Sequence, residues 1–343
     1  MAVNIYDVAK LSGVSIATVS RVVNGSTKVS EKTRRKVLDV MEQCGYTPNV
    51  FARGLGLDSM KTIGILCPDI SDAFIAQAVA FLEERLHQYE YDCILGCSGY
   101  DLEAKEAHTK MLLSKRIDAL ILVSSTYAGR EGHPEDVEYI KEAAKQTPVF
   151  LINGFVEGKN IYCSFCDDFK ATYDVTSGFI RRGKKKILFL CDSYSYSASK
   201  KMAGYEAALR DAGYPIRGEL KFYTKNRIHH VRDMLLLHKN LEFDSVVATD
   251  DGLAIGALKY ANVKGLKVPD DIEIAGYNNS QLSVGCEPEL TSVDNHLEKM
   301  CNDTVDYMLR VLQGDTDVPP QNEVVCEIKK RCTTDFKSMK LKN

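Results

Sequence analysis

At 343 residues, with 45% hydrophobic and 27% charged side chains, the chain is too long for one small core and too apolar for disorder. The net charge of −3 hides an asymmetry, because residues 1–61 hold 9 Lys+Arg against 5 Asp+Glu while the remainder holds 35 against 42. A basic first sixth on an acidic body fits a module for a polyanion joined to one with a different task. No apolar run approaches the roughly 20 residues that span a bilayer. The opening "MAVNIYDVAK" has no basic stretch followed by an apolar one, so no secretory signal is expected. A cytoplasmic protein with no membrane partner is the expectation.

In chain order, residues 4–47 read as three short helices. "NIYDVAKLSG" carries Ile5, Val8 and Ala9 at helical spacing, with Asn4 as N-cap and Gly13 as stop. Val14 and Ser15 open a second helix, which "TVSRVVN" continues until "NGS" breaks it. Val19, Val22 and Val23 turn inward there, leaving Ser15, Ile16, Ala17, Thr18, Ser20 and Arg21 outside. "SEKTRRKVLDVMEQCGY" supplies the third helix, with Ser30 as N-cap, Val37, Val40 and Met41 inward, and Gly45 as terminator. Two helices joined by the tight turn "SGVS" make a helix-turn-helix pattern.

Residues 48–60, "PNVFARGLGLDSM", are a join. "NVFARGL" has the length of two helical turns, but Gly54 and Gly56 each cost about 1 kcal/mol relative to alanine inside a helix. So short a helix is marginal in isolation, so this segment is expected to stay disordered until something holds it.

From residue 61 onward, strands and helices alternate. "KTIGILC", "YDCILGC", "DALILVSS", "PVFLIN", "KKILFLC", "DSVVATD" and "IEIAGYN" read as strands. Helix patterns run from Ala73 to Tyr89, Leu102 to Arg116, Lys170 to Arg182, Ala198 to Ala212 and Leu253 to Val263. Such alternation means βαβ units and parallel sheets covered on both faces, and so many units exceed one ordinary sheet. Two lobes are expected. "LTSVDNHLEKMCNDTVDYMLRVLQG" then gives an extended stretch and a long helix that crosses back between them.

The 11 cysteines are odd in number and scattered, which is unlike a disulfide framework. Cys67, Cys93 and Cys191 lie among apolar residues, as small hydrophobes do. "CSFC" places Cys163 and Cys166 at Cys-x-x-Cys spacing, open to a redox or metal reading. With no second such pair and no histidines nearby, reduced structural thiols are favoured and no metal or cofactor is expected.

The residues resemble the lactose/galactose repressor (LacI/GalR) family of bacterial transcription regulators over nearly the whole chain. The likeness is most specific in "IYDVAKLSGVSIATVSRVVNGSTKVSEKTRRKVLDVMEQCGYTPNVFARGL". In the body, "RRGKKKILFL", "KMAGYEAAL", "ATDDGLAIGAL", "GLKVPDDIEIAGYNN" and "ELTSVDN" follow in the family order. The resemblance implies an N-terminal all-α helix-turn-helix headpiece over residues 1–47, a hinge helix over 48–60, and a core over 61–343. That core would be an α/β, two-lobed body like the periplasmic binding proteins, binding an effector and forming a homodimer on a pseudo-palindromic DNA operator.

A recognition helix in the major groove gives each outward residue a task. Arg21 would donate two hydrogen bonds to a guanine. Ile16 and Ala17 would meet thymine methyl groups or exclude bulk, and Tyr6, Ser15, Thr18, Ser20 and Asn24 would contact phosphates. Lys28, near the turn after the helix, would add a further phosphate contact. The resemblance also implies that Leu55 wedges into the central base step from the minor groove, with Asn49, Ala52 and Arg53 on the same segment.

In the core, the resemblance places the effector between the lobes, against Phe74, Ser125, Asn153, Ser197, Lys201, Asp250 and Asn278. An aromatic face with several hydrogen-bonding groups suits a sugar or sugar derivative. This chain departs from the common pattern there. "DAF" (Asp72 to Phe74) stands for Asn-Pro-Phe, Lys201 for arginine, Asp250 for asparagine, Asn278 for aspartate and Cys166 for aspartate. Lys201 and Asp250 would hold hydroxyls with charged groups or pair with each other.

An enzyme is not expected, since neither a phosphate-cradling Gly-x-x-x-x-Gly-Lys-Ser/Thr nor a Gly-x-Ser-x-Gly elbow occurs. The rival reading, a cytoplasmic or exported sugar-binding protein without a DNA role, would have no use for a helix-turn-helix.

Overall fold

The computed structural model describes residues 3–23, 26–46, 59–130 and 133–336. The chain divides into two compact units, Met1–Thr62 and Ile63–Asn343.

The first unit packs α1 (Ile5–Ser12), α2 (Ile16–Val23) and α3 (Glu31–Gln43) around one small core. Val8, Val19 and Val37, one from each helix, are fully buried, and Ala9, Val22 and Met41 close the cluster. Ile5, Val23 and Val40 pack only at its edge. Asn4 caps α1 by accepting from Tyr6 N and Asp7 N, while the Asp7 carboxylate accepts from Asn4 N at 3.0 Å. That reciprocal pair satisfies otherwise orphaned donors. Gly13 ends α1 with φ +63°, a left-handed conformation that glycine adopts without steric cost. Val14 and Ser15 fall before α2 and not within it, because the Ser15 hydroxyl accepts from Thr18 N at 3.2 Å and so caps the helix. Arg34 on α3 donates to the Ser26 carbonyl at 2.5 Å, which ties down the turn after α2.

The second unit has two lobes. The first lobe runs β1 (Thr62–Cys67), α4 (Ala73–Gln88), β2 (Asp92–Cys97), α5 (Leu102–Leu113), β3 (Ala119–Val123), α6 (Glu138–Ala144), β4 (Val149–Ile152) and β5 (Ile161–Cys166). The second continues with α7 (Asp168–Arg181), β6 (Ile187–Cys191), α8 (Tyr196–Asp211), β7 (Lys221–Tyr223), α9 (Ile228–Leu237), β8 (Ser245–Ala248), α10 (Asp251–Lys264), β9 (Glu273–Tyr277), α11 (Gln281–Val284) and β10 (Thr291–Asp294). The tail adds α12 (Leu297–Leu312), β11 (Gln321–Val324) and β12 (Glu327–Lys329).

Each lobe holds a six-stranded sheet, in the orders β11-β5-β4-β3-β1-β2 and β12-β10-β9-β8-β6-β7. Parallel pairing runs through the centre of both, with Ile65 opposite Ile121 in one and Val247 opposite Ala275 in the other. Every residue of β3 and of β9 is buried, as central parallel strands covered by helices on both faces require. β12 lies antiparallel to its neighbour, β10, with Val293 opposite Ile328.

The chain passes between lobes three times. β5 belongs to the first sheet and α7, two residues on, packs in the core of the second. After β10 the long α12 returns, burying Leu297, Met300, Cys301, Val305 and Met308 among Ile63, Phe74 and Phe150 of the first lobe. β11 then lies on the edge of the first sheet and β12 on the edge of the second. The crossing expected of the long helix is therefore present, and two further ones accompany it.

β5 also decides the Cys-x-x-Cys question. Residues three apart on a strand face opposite sides of the sheet. Cys163 accordingly joins the cluster around Leu151 and Ile161, and Cys166 the one around Ile152 and Val324. Their positions do not bring two sulfurs to one ion or one disulfide. Among the described residues no group of three or more His, Cys, Asp or Glu side chains is placed to hold a metal ion. No helix of the described residues is long and apolar enough to cross a membrane.

Candidate functional site

A cavity of about 450 Å³ lies between the lobes of the second unit. Its walls are the segments that leave the carboxyl ends of β1, β2, β3, β4, β6, β7, β8 and β9. This is where ligands bind in open parallel sheets, since backbone groups and helix N-termini converge there. Phe74, Ser125, Asn153, Ser197, Lys201, Asp250 and Asn278 all line it. Seven residues read from separate stretches of sequence thus meet around one space.

From the first lobe, Asp72 caps α4 by accepting from Ile75 N at 3.1 Å, which fixes the buried Phe74 in the first turn of the helix. Ser125 follows β3 and donates to Ser195 of the second lobe at 2.8 Å, a hydrogen bond across the cleft. Asn153, at the end of β4, takes φ +64°, a left-handed turn that asparagine tolerates better than most residues. From the second lobe, Asp250 caps α10 through Gly252 N at 2.7 Å, and its other oxygen accepts from Asn278 Nδ2 at 2.9 Å. Asn278, at φ +88°, accepts in turn from Asn295 Nδ2 at 3.1 Å. The Asp and Asn that exchange places relative to the family pattern therefore bond each other. Ser197 is 3% exposed, and its hydroxyl has no hydrogen-bond partner among the described residues.

Lys201 does not pair with Asp250. Its ammonium donates to the Thr249 carbonyl at 3.1 Å, lies 3.9 Å from Asp168 Oδ1 and sits 3.6 Å from the centre of the Tyr277 ring. Tyr277 in turn donates to Asp168 at 2.6 Å. Asp168 begins α7, just past the first crossing, so Lys201 holds the segment by which the chain enters the second lobe. Cys166, which replaces a family aspartate, reaches Asp168 Oδ1 at 3.5 Å.

Sequence reasoning missed Asp69, Tyr100, Asp192, Lys225, Asn226 and Arg227, which also line the cavity. Three of these carried a usable signal. Asp69, Tyr100 and Asp192 each stand one to three residues beyond a strand that the sequence makes plain. Lys225 to Arg227 follow β7, whose three residues leave no periodicity to read. Burial pushes the Asp72 carboxyl up to about 6, and the charge of Asp250 adds to it. Asp192 opens onto the cleft but is walled in closely by protein. Desolvation, then the charge of Asp250, raises it to about 6 as well.

On the first unit, Tyr6 is 67% exposed and Ile16 is 42% exposed, with Ala17, Arg21 and Lys28 also open to solvent. Thr18 and Ser20 are half-buried, not fully outward as the helical wheel suggested. Ser15 and Thr18 are hydrogen-bonded through their hydroxyls at 2.9 Å, so both take part in capping α2. The exposed set on α2 is a short apolar strip ending in one guanidinium. Asn24, Asn49, Ala52, Arg53 and Leu55, and with them the hinge residues 48–58, lie outside the described residues.

Known proteins share these features. A family profile described as "Bacterial regulatory proteins, lacI family" matches residues 4–49. One described as "Periplasmic binding proteins and sugar binding domain of LacI family" matches residues 60–332. An HTH-type transcriptional regulator of Lachnoclostridium phytofermentans is 48% identical over 335 residues, spanning 97% of this chain and 100% of that protein. Catabolite control protein A of Priestia megaterium is 34% identical over 301 residues, covering 85% of this chain and 87% of its own. Among solved structures, the lac repressor dimer bound to operator and the anti-inducer ONPF superposes with a TM-score of 0.84 at 26% identity, over 97% of this chain and 99% of that one. The helix-turn-helix unit, the two parallel-sheet lobes and these relatives agree: the chain belongs to the lacI family of bacterial regulatory proteins and is a transcription regulator.

Proposed function

We propose that this regulator binds a pseudo-palindromic operator as a homodimer and that a sugar held between its lobes sets operator affinity. It acts in the cytoplasm by binding, not by catalysis. Residues 1–47 form the DNA-binding headpiece, 48–60 the hinge and 61–343 the effector-binding and dimerisation core. Arg21 reads a guanine. Ile16 and Ala17 lie against bases, while Tyr6, Ser15, Thr18, Ser20, Asn24 and Lys28 hold phosphates. Asn49, Ala52, Arg53 and Leu55 serve the minor groove.

The observation that carries this reading is the convergence of Phe74, Ser125, Asn153, Ser197, Lys201, Asp250 and Asn278 on one cavity whose walls belong to both lobes. A ligand there touches both sides of a joint crossed three times by the chain, so its binding energy can differ between two lobe arrangements. Phe74 offers a ring face, and Asn153, Asp250 and Asn278 offer directional polar groups, as a sugar ring needs. Further support comes from the lac repressor dimer, which is bound to operator, and from the sugar-binding description of the core profile.

A thermal-shift screen of sugars and nucleobases against the full-length protein tests the ligand class, because a ligand of the native state raises its melting temperature. Sugars are expected to stabilise, and Asp250→Ala is expected to abolish that shift while leaving operator binding in place. A shift with nucleobases alone would replace the sugar reading. An Asp250→Ala protein that melts early yet still answers the sugar would make Asp250 a helix cap and nothing more.

A further inference from the structure

The reachable part of the cleft carries more negative charge than it neutralises. Asp72 faces it from the first lobe, and Asp192 and Asp250 from the second. Lys201 is the cation that acts on Asp192, but its ammonium is committed to Asp168, the Thr249 carbonyl and the Tyr277 ring. Arg227 acts instead on Asp69 and Tyr100, in the same cavity wall, and with Lys225 also lining it the aspartates Asp69, Asp72, Asp192 and Asp250 still outnumber the cations Lys201, Lys225 and Arg227. Among the described residues, Asp192 forms no salt bridge. Three like charges divided between two lobes repel across the gap, which opposes closure of the empty cleft.

An independent feature marks the same space as built for a ligand. Ser197, more than nine-tenths buried, lines the cavity with a hydroxyl that no group among the described residues satisfies. A buried hydroxyl without a partner is costly, and a bound polar molecule would relieve it. The carboxylates are not arranged as a metal site, since no group of three or more acidic, His or Cys side chains among the described residues is placed to hold an ion. A larger organic cation with its own hydrogen-bonding groups suits a wall that mixes these carboxylates with an unpartnered hydroxyl.

We propose that the effector is a cationic sugar, an amino sugar whose ammonium is held by Asp192 and Asp250 of one lobe and Asp72 of the other. This rests on the reading that the cleft takes a sugar, and it adds the charge. The ammonium donates charge-assisted hydrogen bonds to carboxylates on both sides and removes the repulsion between them. Its hydroxyls meet Asn278 and Ser197. Binding and lobe closure are then one electrostatic event, which a neutral sugar of the same shape would drive less strongly.

Calorimetric titration of the full-length protein with three matched sets tests this: glucose, galactose and mannose, each beside its 2-amino and 2-acetamido derivative. At about pH 7.5 one 2-amino sugar is expected to bind at least about tenfold tighter than its 2-hydroxy and 2-acetamido partners. Below about pH 6 Asp72 and Asp192 take up protons and lose their charge, so the preference is expected to collapse there. Asp192→Asn is expected to erase most of it at the higher pH, and should that variant fail to fold, the pH profile of the unaltered protein still decides. A neutral sugar binding as tightly as its amino partner overturns the charge proposal and leaves the sugar reading intact. No binding by any member of the three sets overturns both.

Discussion

Arg21 and Lys28 are both exposed cations of the first unit, yet their surroundings differ. Arg21 stands on the face of α2 that also carries Ile16 and Ala17, a strip of mostly small side chains that allows close approach to a groove floor. Lys28 lies in the turn beyond α2, where a backbone is met before a base edge. Arg21→Ala is therefore expected to cost about 1–3 kcal/mol on the preferred sequence and to relax preference at one guanine per half-site. Lys28→Ala is expected to weaken all sequences alike and to lower the salt slope by about 1. Selection from a random duplex pool, repeated at several salt concentrations, separates the two. Identical specificity profiles for the two variants would show the roles to be wrongly assigned.

The same scale shows where residue-by-residue reading stopped. All seven cleft residues carried over from the family resemblance do line the cavity. Their partners were not legible. Lys201 and Asp250 look like a natural ion pair in sequence, but the Asp168 carboxylate and Tyr277 ring claim the lysine, while Asn278 and a helix N-terminus claim the aspartate. Partner choice depends on which helix face meets which crossing segment, and no local pattern encodes that.

Strands with an unbroken apolar run and helices with a long buried face were readable; β5, where Tyr162 and Ser164 interrupt the run, was not, nor were the shorter elements. The seven apolar runs named as strands correspond to β1, β2, β3, β4, β6, β8 and β9; all but β2, an edge strand whose apolar residues still spell a run, are buried along nearly their whole length. β11 and β12 sit at sheet edges with mostly exposed or half-buried residues, so they offer no such run. α9 buries only Val231 and Leu235, one face of one turn, too little to stand out. What sequence alone could not anticipate is how closely helices approach. A Cβ added at Gly204 of α8 would lie 2.2 Å from the Phe169 carbonyl oxygen of α7. Backbone cannot yield as a side-chain tip can, so Gly204→Ala is expected to destabilise the core by about 1–3 kcal/mol, measured by chemical denaturation. An unchanged midpoint would mean that α7 and α8 sit further apart than described.

Asp251 links three elements in one buried knot. From α10 it accepts from Ser280 N at 2.7 Å, the Ser280 hydroxyl at 2.8 Å and the Ser292 hydroxyl of β10 at 2.6 Å. Burial nevertheless pushes its carboxyl up to about 7, with the charge of Asp250 adding and the serine donors opposing. The folded state thus holds this proton more tightly than the unfolded chain does. Its contribution to stability is fully present at low pH and is lost as pH rises through about 7. The melting temperature of the unaltered protein is expected to fall between about pH 4 and 7, and to level off above that, by an amount that Asp251→Asn, with no proton to release, does not show. Equal slopes for the two proteins would mean that Asp251 is charged throughout.

In the whole molecule a helix-turn-helix headpiece is joined to a two-lobed core whose cleft is open to a ligand. One headpiece offers few base contacts, so useful affinity needs two half-sites and two chains. The ligand alters operator affinity only if it binds the operator-competent and operator-incompetent arrangements unequally, and the size of the shift equals that difference. The most direct test is the operator affinity of the full-length protein, followed by fluorescence anisotropy on a selected duplex at fixed salt, without and with a saturating cleft ligand. The account predicts a shift of about tenfold or more in the unaltered protein and none in Asp250→Ala, whose affinity for free operator stays close to the original. A ligand that fills the cleft and leaves operator affinity unchanged would contradict it.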